Sequence, residues 1–158
     1  MFWQIFYRRD KTMKNYDLII IGFGKAGKTL AAHAGGHGQK VAVVEQSTKM
    51  YGGTCINIGC IPTKTLIHDG IEGNSFKESI TRKKEVVQAL NNKNYQGLNS
   101  KNNIDVLNYN AKFISNEIIE LQDSNGTIQE TITADKIVIN TGSRANIPDI
   151  KGIDTAQN

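Results

Sequence analysis

Two cysteines, Cys55 and Cys60, stand in residues 52–64, which read GGTCINIGCIPTK. Cysteine pairs that hold a metal come with further ligands. The sequence has no second cysteine pair, and its histidines show no finger-like spacing, so a metal site is disfavoured. Redox or exchange chemistry at the two sulfurs is the remaining interpretation.

A disulfide between these cysteines requires an irregular turn. In a regular helix, residues at this separation have Cα atoms roughly 8–9 Å apart, whereas a disulfide needs about 4.4–6.8 Å. Gly59 gives the backbone that freedom, and Pro62 is predicted as the first residue of a regular helix beyond it. Cys60 would then lie at a helix N-terminus with Lys64 one turn on, and both features favour the thiolate that exchange requires.

The elements before the cysteines form a nucleotide-binding pattern. Residues 16–21 are an apolar run, typical of a buried parallel strand. Residues 22–27 follow as G-x-G-x-x-G, and a helix is predicted at 28–37. A second apolar strand at 40–44 completes the β-α-β unit.

Each glycine in this pattern has a physical role. Gly22 permits the tight turn, Gly24 lets the backbone approach a pyrophosphate, and Gly27 lets helix and strand pack closely. The helix start offers unpaired N–H groups to phosphates. Glu45 stands 23 residues after Gly22, near the distance at which an acid binds ribose hydroxyls. The predicted dinucleotide contacts are Gly22, Gly24, Lys25, Ala26, Gly27 and Glu45; flavin and nicotinamide dinucleotides remain equally open at this point.

Composition sets the class of protein. At 158 residues with 39% hydrophobic and 22% charged residues, the chain is typical of one soluble globular domain. It has no apolar run of the roughly 18–20 residues that cross a bilayer, and its net charge of +4 forms no basic stripe. We therefore predict a cytoplasmic protein with no nucleic acid or membrane partner. Residues 1–12 are predicted to be a non-structural extension, with a membrane-surface anchor as the alternative.

The cysteine segment resembles the redox-active motif of the class I pyridine-nucleotide-disulfide oxidoreductases, a family that includes glutathione reductase, lipoamide dehydrogenase and mercuric reductase. Residues 50–69 and 21–31 resemble most closely one bacterial branch, the reactive-chlorine-resistance flavoproteins, which are related to mercuric reductase and reduce hypothiocyanous acid.

The resemblance implies a role for each matching residue. Cys60 would be the flavin-facing sulfur that forms a charge-transfer thiolate, and Cys55 the interchange thiol that meets the substrate. Lys64 would approach the flavin ring. The dinucleotide would be FAD, and further FAD contacts would be Gly53, Thr54, Cys60, Lys64, Ala111, Thr141 and Gly142. The sequence departs from the family pattern at Asn110 for a usual Gly, Asn140 for Ala and Ala145 for Pro.

The resemblance also predicts the fold in which the remaining elements lie. The resemblance implies an incomplete, doubly wound, Rossmann-like α/β domain at 13–158, with a parallel sheet and an inserted antiparallel β-meander. A helix is predicted at 75–96 with Phe76 on its buried side, and an Asn-rich turn is predicted at 91–94 and 99–103. The later strands are predicted separately, at 104–107, 111–114, 117–121, 127–133 and 136–143, with a hairpin turn at 123–126.

The resemblance stops after residue 152, before the NADPH-binding and dimerisation domains of a complete family member. A full-length enzyme would be a homodimer using NADPH or NADH, with a small-molecule oxidant or disulfide as substrate: hypothiocyanous acid, a metal ion such as Cu(II) or Hg(II), or a small disulfide. A mercuric reductase-like or dihydrolipoamide dehydrogenase-like enzyme is the alternative. A truncated, inactive flavin-binding module is the other, and we expect no NADPH-driven turnover from this chain alone.

Overall fold

A computed structural model describes residues 13–143 and 146–153. The extension predicted at 1–12 and the departure at Ala145 lie outside the described residues. The elements, in chain order, are β1 (Lys14–Ile21), α1 (Lys25–Gly36), β2 (Val41–Val44), a 3-10 turn (Thr48–Met50), α2 (Thr54–Asn57), α3 (Cys60–Ile71), α4 (Phe76–Asn99), β3 (Ile104–Leu107), β4 (Asn110–Phe113), β5 (Ile118–Gln122) and β6 (Ile128–Ile139).

One mixed sheet of six strands, in the order β3-β2-β1-β6-β5-β4, forms the centre of the described chain. β3, β2, β1 and β6 run parallel, and β6, β5 and β4 form an antiparallel meander. β1 lies between β2 and β6, so its side chains are buried on both faces, and Ile19 and Ile20 are fully buried. This position explains the unbroken apolar run of β1, and the predicted α/β class is confirmed.

The sheet has a hydrophobic core on each face. On one face α1 and α4 pack on β1, β2 and β3 around Leu18, Ile20, Val41, Val43, Leu98 and Ile104. On the other, side chains of the meander close over β1 and β2: Tyr16, Ile19, Ala42, Val44, Ile119, Leu121 and Ile132. Both cores leave the carboxyl ends of β1 and β2 open, which is where ligands bind in such sheets.

The prediction of two strands at 127–133 and 136–143 was wrong, because β6 is one continuous strand. Ile132 pairs antiparallel with Ile119, whereas Ile137 pairs parallel with Ile19. No Gly or Pro stands between the two halves, so nothing in the local sequence breaks the strand. The meander is thereby tied to the central strand of the sheet.

The Asn-rich turn at 91–94 was also wrong, since α4 continues to Asn99. Asn91 donates to Asn57 Oδ1 at 3.0 Å, and Asn94 accepts from Lys28 and donates to the Leu90 carbonyl. These bonds occupy side chains that would otherwise compete with the helix backbone. Phe76, predicted on the buried side, is 80% exposed because it is the first residue of α4.

A buried ion pair joins α3 to α4. Asp69 is fully buried and accepts from the Arg82 guanidinium, which is half exposed. Its other oxygen, Oδ2, has no hydrogen-bond partner among the described residues. Besides Arg82, the His68 ring lies beside this carboxylate, with its Nδ1 3.6 Å from Asp69 Oδ1.

We expect Arg82→Ala to lower the free energy of unfolding by about 3 kcal/mol, because it removes the guanidinium partner of a buried carboxylate. Urea unfolding followed by circular dichroism measures this. Lys83→Ala is the matched control, since Lys83 is the next cation on α4 and forms no ion pair with a described residue. Equal losses in the two variants would contradict the role given to the ion pair.

Candidate dinucleotide and dithiol site

The chain between the two cysteines is irregular, as a disulfide there requires. α2 ends at Asn57, and the N–H groups of Ile58 and Gly59 both donate to the Thr54 carbonyl, at 2.9 and 2.8 Å. α3 then begins at Cys60 itself. The prediction that Pro62 is the first residue of this helix was wrong, since Pro62 is its third residue. The first-turn N–H groups have no intrahelical partner, so proline costs no hydrogen bond there.

The two thiols are exposed. Both cysteines are free. The hydrogen bond to Cys60 is the main reason that the pKa of the Cys55 thiol is raised, with desolvation and the charge of Cys60 acting in the same direction.

Three lysines act on Cys55. The charges of Lys25 and Lys64 oppose the rise in its pKa. Lys28 has its own pKa lowered by burial first and by repulsion from Lys25 second, while Cys55 acts in the opposite direction. The charges of Lys25 and Lys64 offset part of the rise in the pKa of Cys55, and the three positive charges together suit an anionic ligand. Lys28 was not identified from the sequence, because its approach to Cys55 depends on how α1 packs beside α2.

The glycine turn that follows β1 presents bare backbone. Gly22 has a φ of +105°, and its N–H donates to the Val44 carbonyl at 2.7 Å. Gly24 is the N-cap of α1, and no side chain caps the first turn. The N–H groups of that turn, which include those of Lys25 and Ala26, carry the positive end of the helix dipole. This end of α1 suits a phosphate group.

Gly27 is buried beneath the turn rather than exposed to a ligand. A Cβ at this position would lie 2.6 Å from the Gly22 carbonyl oxygen and 3.0 Å from Ile20 Cγ2. Only a residue without a side chain permits α1 to approach β1 this closely.

The carboxylate of Glu45 fastens the turn to the chain after β2. Its Oε2 accepts from the Phe23 N–H at 3.0 Å, and its Oε1 accepts from the Ser47 N–H at 3.1 Å. Glu45 is half-buried and lines the cavities described next. An acid so placed can accept hydrogen bonds from ribose hydroxyls and repels a 2′-phosphate.

Two adjoining cavities bring together most of the residues predicted from the sequence. The larger, of about 400 Å³, is lined by Gly22, Gly24, Lys25, Ala26, Glu45, Gly53, Thr54, Cys55, Thr141 and Gly142. The smaller, of about 150 Å³, holds Ala111 and shares Gly22, Glu45 and Thr141 with the larger. The linings do not include Gly27, Cys60 or Lys64. They do include residues that sequence reasoning missed: Phe23, Gln46, Met50, Gly52 and Asn140.

The shape and chemistry of these cavities fit a dinucleotide. Ala111 and Glu45 line the smaller cavity, and Glu45, the uncapped end of α1 and Cys55 all line the larger. Gly53 has a φ of +74°, and a Cβ there would lie 2.7 Å from Gly24 Cα. The two glycine turns thus approach each other backbone to backbone, leaving space that side chains would fill.

Two other kinds of site were sought within residues 13–143 and 146–153. No helix in these ranges is both long enough and apolar enough to span a bilayer. The same residues contain no group of three or more histidine, cysteine, aspartate or glutamate side chains arranged to hold a metal ion.

Comparison with known families gives a match over almost the whole chain. The family model described as pyridine nucleotide-disulphide oxidoreductase matches residues 16–158. The chain is 50% identical over 143 residues to a probable pyridine nucleotide-disulfide oxidoreductase, RclA of Escherichia coli, covering 90% of this chain and 32% of that protein. It is 32% identical to a mercuric reductase of Lysinibacillus sphaericus, covering 89% of this chain and 27% of the reductase.

A solved structure agrees with the sequence comparison. The Cu(II) complex of the HOCl-induced flavoprotein disulfide reductase RclA from Escherichia coli superposes with a TM-score of 0.86 at 50% identity, covering 90% of this chain and 32% of that one. The chain therefore spans about a third of the length of this relative.

Proposed function

We propose, from the premise that this chain belongs to the pyridine nucleotide-disulphide oxidoreductase family, that it is the FAD-binding segment of an NAD(P)H-dependent flavoprotein disulfide reductase. Electrons would pass from FAD to a Cys55–Cys60 disulfide and on to an oxidant such as hypothiocyanous acid. The observation that supports this most directly is the pair of cavities that share Gly22, Glu45 and Thr141, one of which reaches Ala111 and the other Cys55.

The cavities give FAD one orientation. Glu45 would accept from the ribose hydroxyls, with the adenine beside Ala111. The uncapped N-terminus of α1 would hold the pyrophosphate, where its N–H groups need no rearrangement. Thr54 and Cys55 border the opposite end, toward which the isoalloxazine would extend. FAD, when bound, supplies two electrons to the disulfide.

The dithiol chemistry follows from the exposed pair of neighbouring thiols. The Cys55 thiol would lose its proton and attack the sulfur of hypothiocyanous acid. The S–O bond breaks, the oxygen leaves as water, and the thiocyanate group stays on the Cys55 sulfur. Cys60 would then attack the Cys55 sulfur, forming the disulfide and releasing thiocyanate. The two thiols are oxidised, and the oxidant is reduced by two electrons. Lys25, Lys28 and Lys64 favour this sequence because they stabilise the anions at Cys55.

A metal ion is the second candidate oxidant. The mercuric reductases among the relatives and the Cu(II) complex of the solved relative favour it. Reduction of Hg(II) or Cu(II) would use the same exposed cysteine pair as donor. Parallel assays of the full-length enzyme with hypothiocyanous acid and with each metal ion distinguish the two candidates.

The remaining properties concern the whole enzyme. We propose that it is a cytoplasmic homodimer and takes its electrons from NADPH or NADH. A reducing compartment suits a cysteine pair that cycles between thiol and disulfide.

The FAD assignment predicts a strong preference for FAD over FMN, which lacks the adenosine half. We expect FAD to bind one per chain and FMN to bind about a hundredfold more weakly, because FMN forfeits the charge-assisted hydrogen bonds to Glu45. Titration of the purified protein against each flavin, followed by flavin fluorescence, measures both affinities.

Glu45→Gln supplies the matched control, since it keeps the shape of the side chain and removes its charge. We expect it to weaken FAD binding by a larger factor than FMN binding. A protein that takes up no FAD would overturn the proposal, as would equal affinity for the two flavins.

A further inference from the structure

Asn140, directly after β6, fills the hollow beneath the glycine turn. Its side-chain Nδ2 donates to the Gly22 carbonyl at 3.1 Å, and its backbone N–H donates to the Ile21 carbonyl at 2.8 Å. The side chain and backbone of one residue thus bind two successive carbonyls at the point where β1 becomes the turn.

The same amide touches the other two glycines of the G-x-G-x-x-G sequence. A Cβ at Gly24 would lie 3.2 Å from Asn140 Nδ2, and a Cβ at Gly27 would lie 2.5 Å from it. The absence of these Cβ atoms therefore makes room for the amide as well as for a ligand. An alanine at 140, the residue that the family pattern usually has, would leave this hollow unfilled.

The contacts connect two walls of the larger cavity. The glycine turn forms one wall, and Thr141 and Gly142, directly after Asn140, form another. Glu45 holds the opposite side of the turn through the Phe23 N–H. The turn is therefore fastened on one side by a carboxylate acceptor and on the other by an amide donor.

We infer that Asn140 is a positioning residue, which holds the glycine turn in the shape that receives the pyrophosphate before the cofactor arrives. A turn already ordered in the free protein loses less conformational entropy on binding, and its affinity is higher for that reason. The affinity part of this inference rests on the proposed FAD site, whereas the order of the turn in the free protein does not.

Hydrogen exchange of the free protein tests the order of the turn. We expect Asn140→Ala to accelerate exchange at residues 22–27 about tenfold, the effect of one lost hydrogen bond that leaves its acceptor unsatisfied. FAD affinity should fall by a similar factor. Asn140→Asp keeps the shape of the side chain but removes the donor and directs a carboxylate at the Gly22 carbonyl. It should accelerate exchange at least as much.

Asn103→Ala is the matched control. Asn103 also donates its side-chain amide to backbone carbonyls, those of Gly35 and Gln39, each at 2.8 Å and both at the far end of α1. We expect this variant to lower the melting temperature without changing exchange at residues 22–27 or FAD affinity.

The outcomes separate this inference from the proposed function. Unchanged exchange at residues 22–27 in both Asn140 variants overturns the inference, even if FAD binds. If exchange were faster in Asn140→Ala but stayed at the wild-type rate in Asn140→Asp, the effect would come from the cavity that alanine leaves. That result would overturn the inference too. A wild-type protein that binds no FAD defeats the proposed function, while the exchange measurements still decide the role of Asn140.

Discussion

Replacing Gly22 with alanine is expected to abolish FAD binding, with a loss of affinity beyond about a hundredfold. Gly22 has a φ of +105°, and a Cβ there would overlap the Asn140 carbonyl oxygen and lie 2.8 Å from the Asn140 carbonyl carbon. Both contacts are with backbone, which no side-chain rotation relieves. The turn must move away from β6, and the cavity wall that both segments form is lost.

Strain and overlap can be separated by a second glycine. Gly38 has a φ of +83°, and a Cβ there would meet no atom within 4 Å. Gly38→Ala therefore shares the backbone strain alone, roughly 1–2 kcal/mol, and should lower the melting temperature while leaving FAD affinity unchanged. Fluorescence titration and thermal unfolding of the two variants give the comparison. If Gly22→Ala bound FAD as tightly as Gly38→Ala does, the overlap would have no functional consequence.

The features that were predictable from the sequence are those that depend on neighbours along the chain. The apolar run of β1 reflects burial on both faces of a sheet, and the glycine turn reflects positive φ and close backbone approach. Gly126 ends the hairpin turn at a φ of +81°, with the carboxylate of Asp123 accepting from two backbone N–H groups. Each of these signals is contained in a few residues, so each could be identified without the tertiary structure.

The features that were not predictable depend on partners far along the chain. Asn91 is helical because its amide binds Asn57, and β6 is continuous because β1 pairs with its second half. Asn140 lies 118 residues from Gly22, the group that its side chain binds. An asparagine alone predicts a turn or a cap, and only its tertiary partner reveals another role.

The residues of the candidate site also fall into those that the sequence predicts and those whose places depend on tertiary structure. The glycines, Glu45 and the cysteine pair were identified because their spacing is itself a signal. Cys60 and Lys64 lie on α3 outside the linings of both cavities, whereas Cys55 lies within the larger. That difference depends on the angle between α2 and α3, which the irregular turn at Ile58 and Gly59 determines.

Removing Cys60 should have the largest chemical effect, because it eliminates the disulfide altogether. We expect one equivalent of oxidant to convert the reduced wild-type protein to an intramolecular Cys55–Cys60 disulfide, with loss of both titratable thiols. Cys60→Ala retains a single thiol and cannot form that bond. Thiol titration and intact-protein mass spectrometry after oxidation measure the difference.

The same variant should also change the pH dependence of Cys55. In the wild-type protein the hydrogen bond to Cys60 raises the pKa of Cys55, so less of its thiolate is present at a given pH. Without Cys60 that bond and the repulsion from its charge disappear, while Lys25 and Lys64 still lower the pKa. Because the thiolate is the nucleophile, alkylation of Cys55 by iodoacetamide should become faster at each pH below the wild-type pKa, and the midpoint of its pH dependence should move to lower pH.

Thr63→Ala, a substitution of an exposed residue on the first turn of α3, keeps both thiols and should leave the midpoint unchanged. A midpoint in Cys60→Ala at or above that of the wild-type protein would contradict the hydrogen bond between the two sulfurs and, with it, the division of labour proposed for the pair.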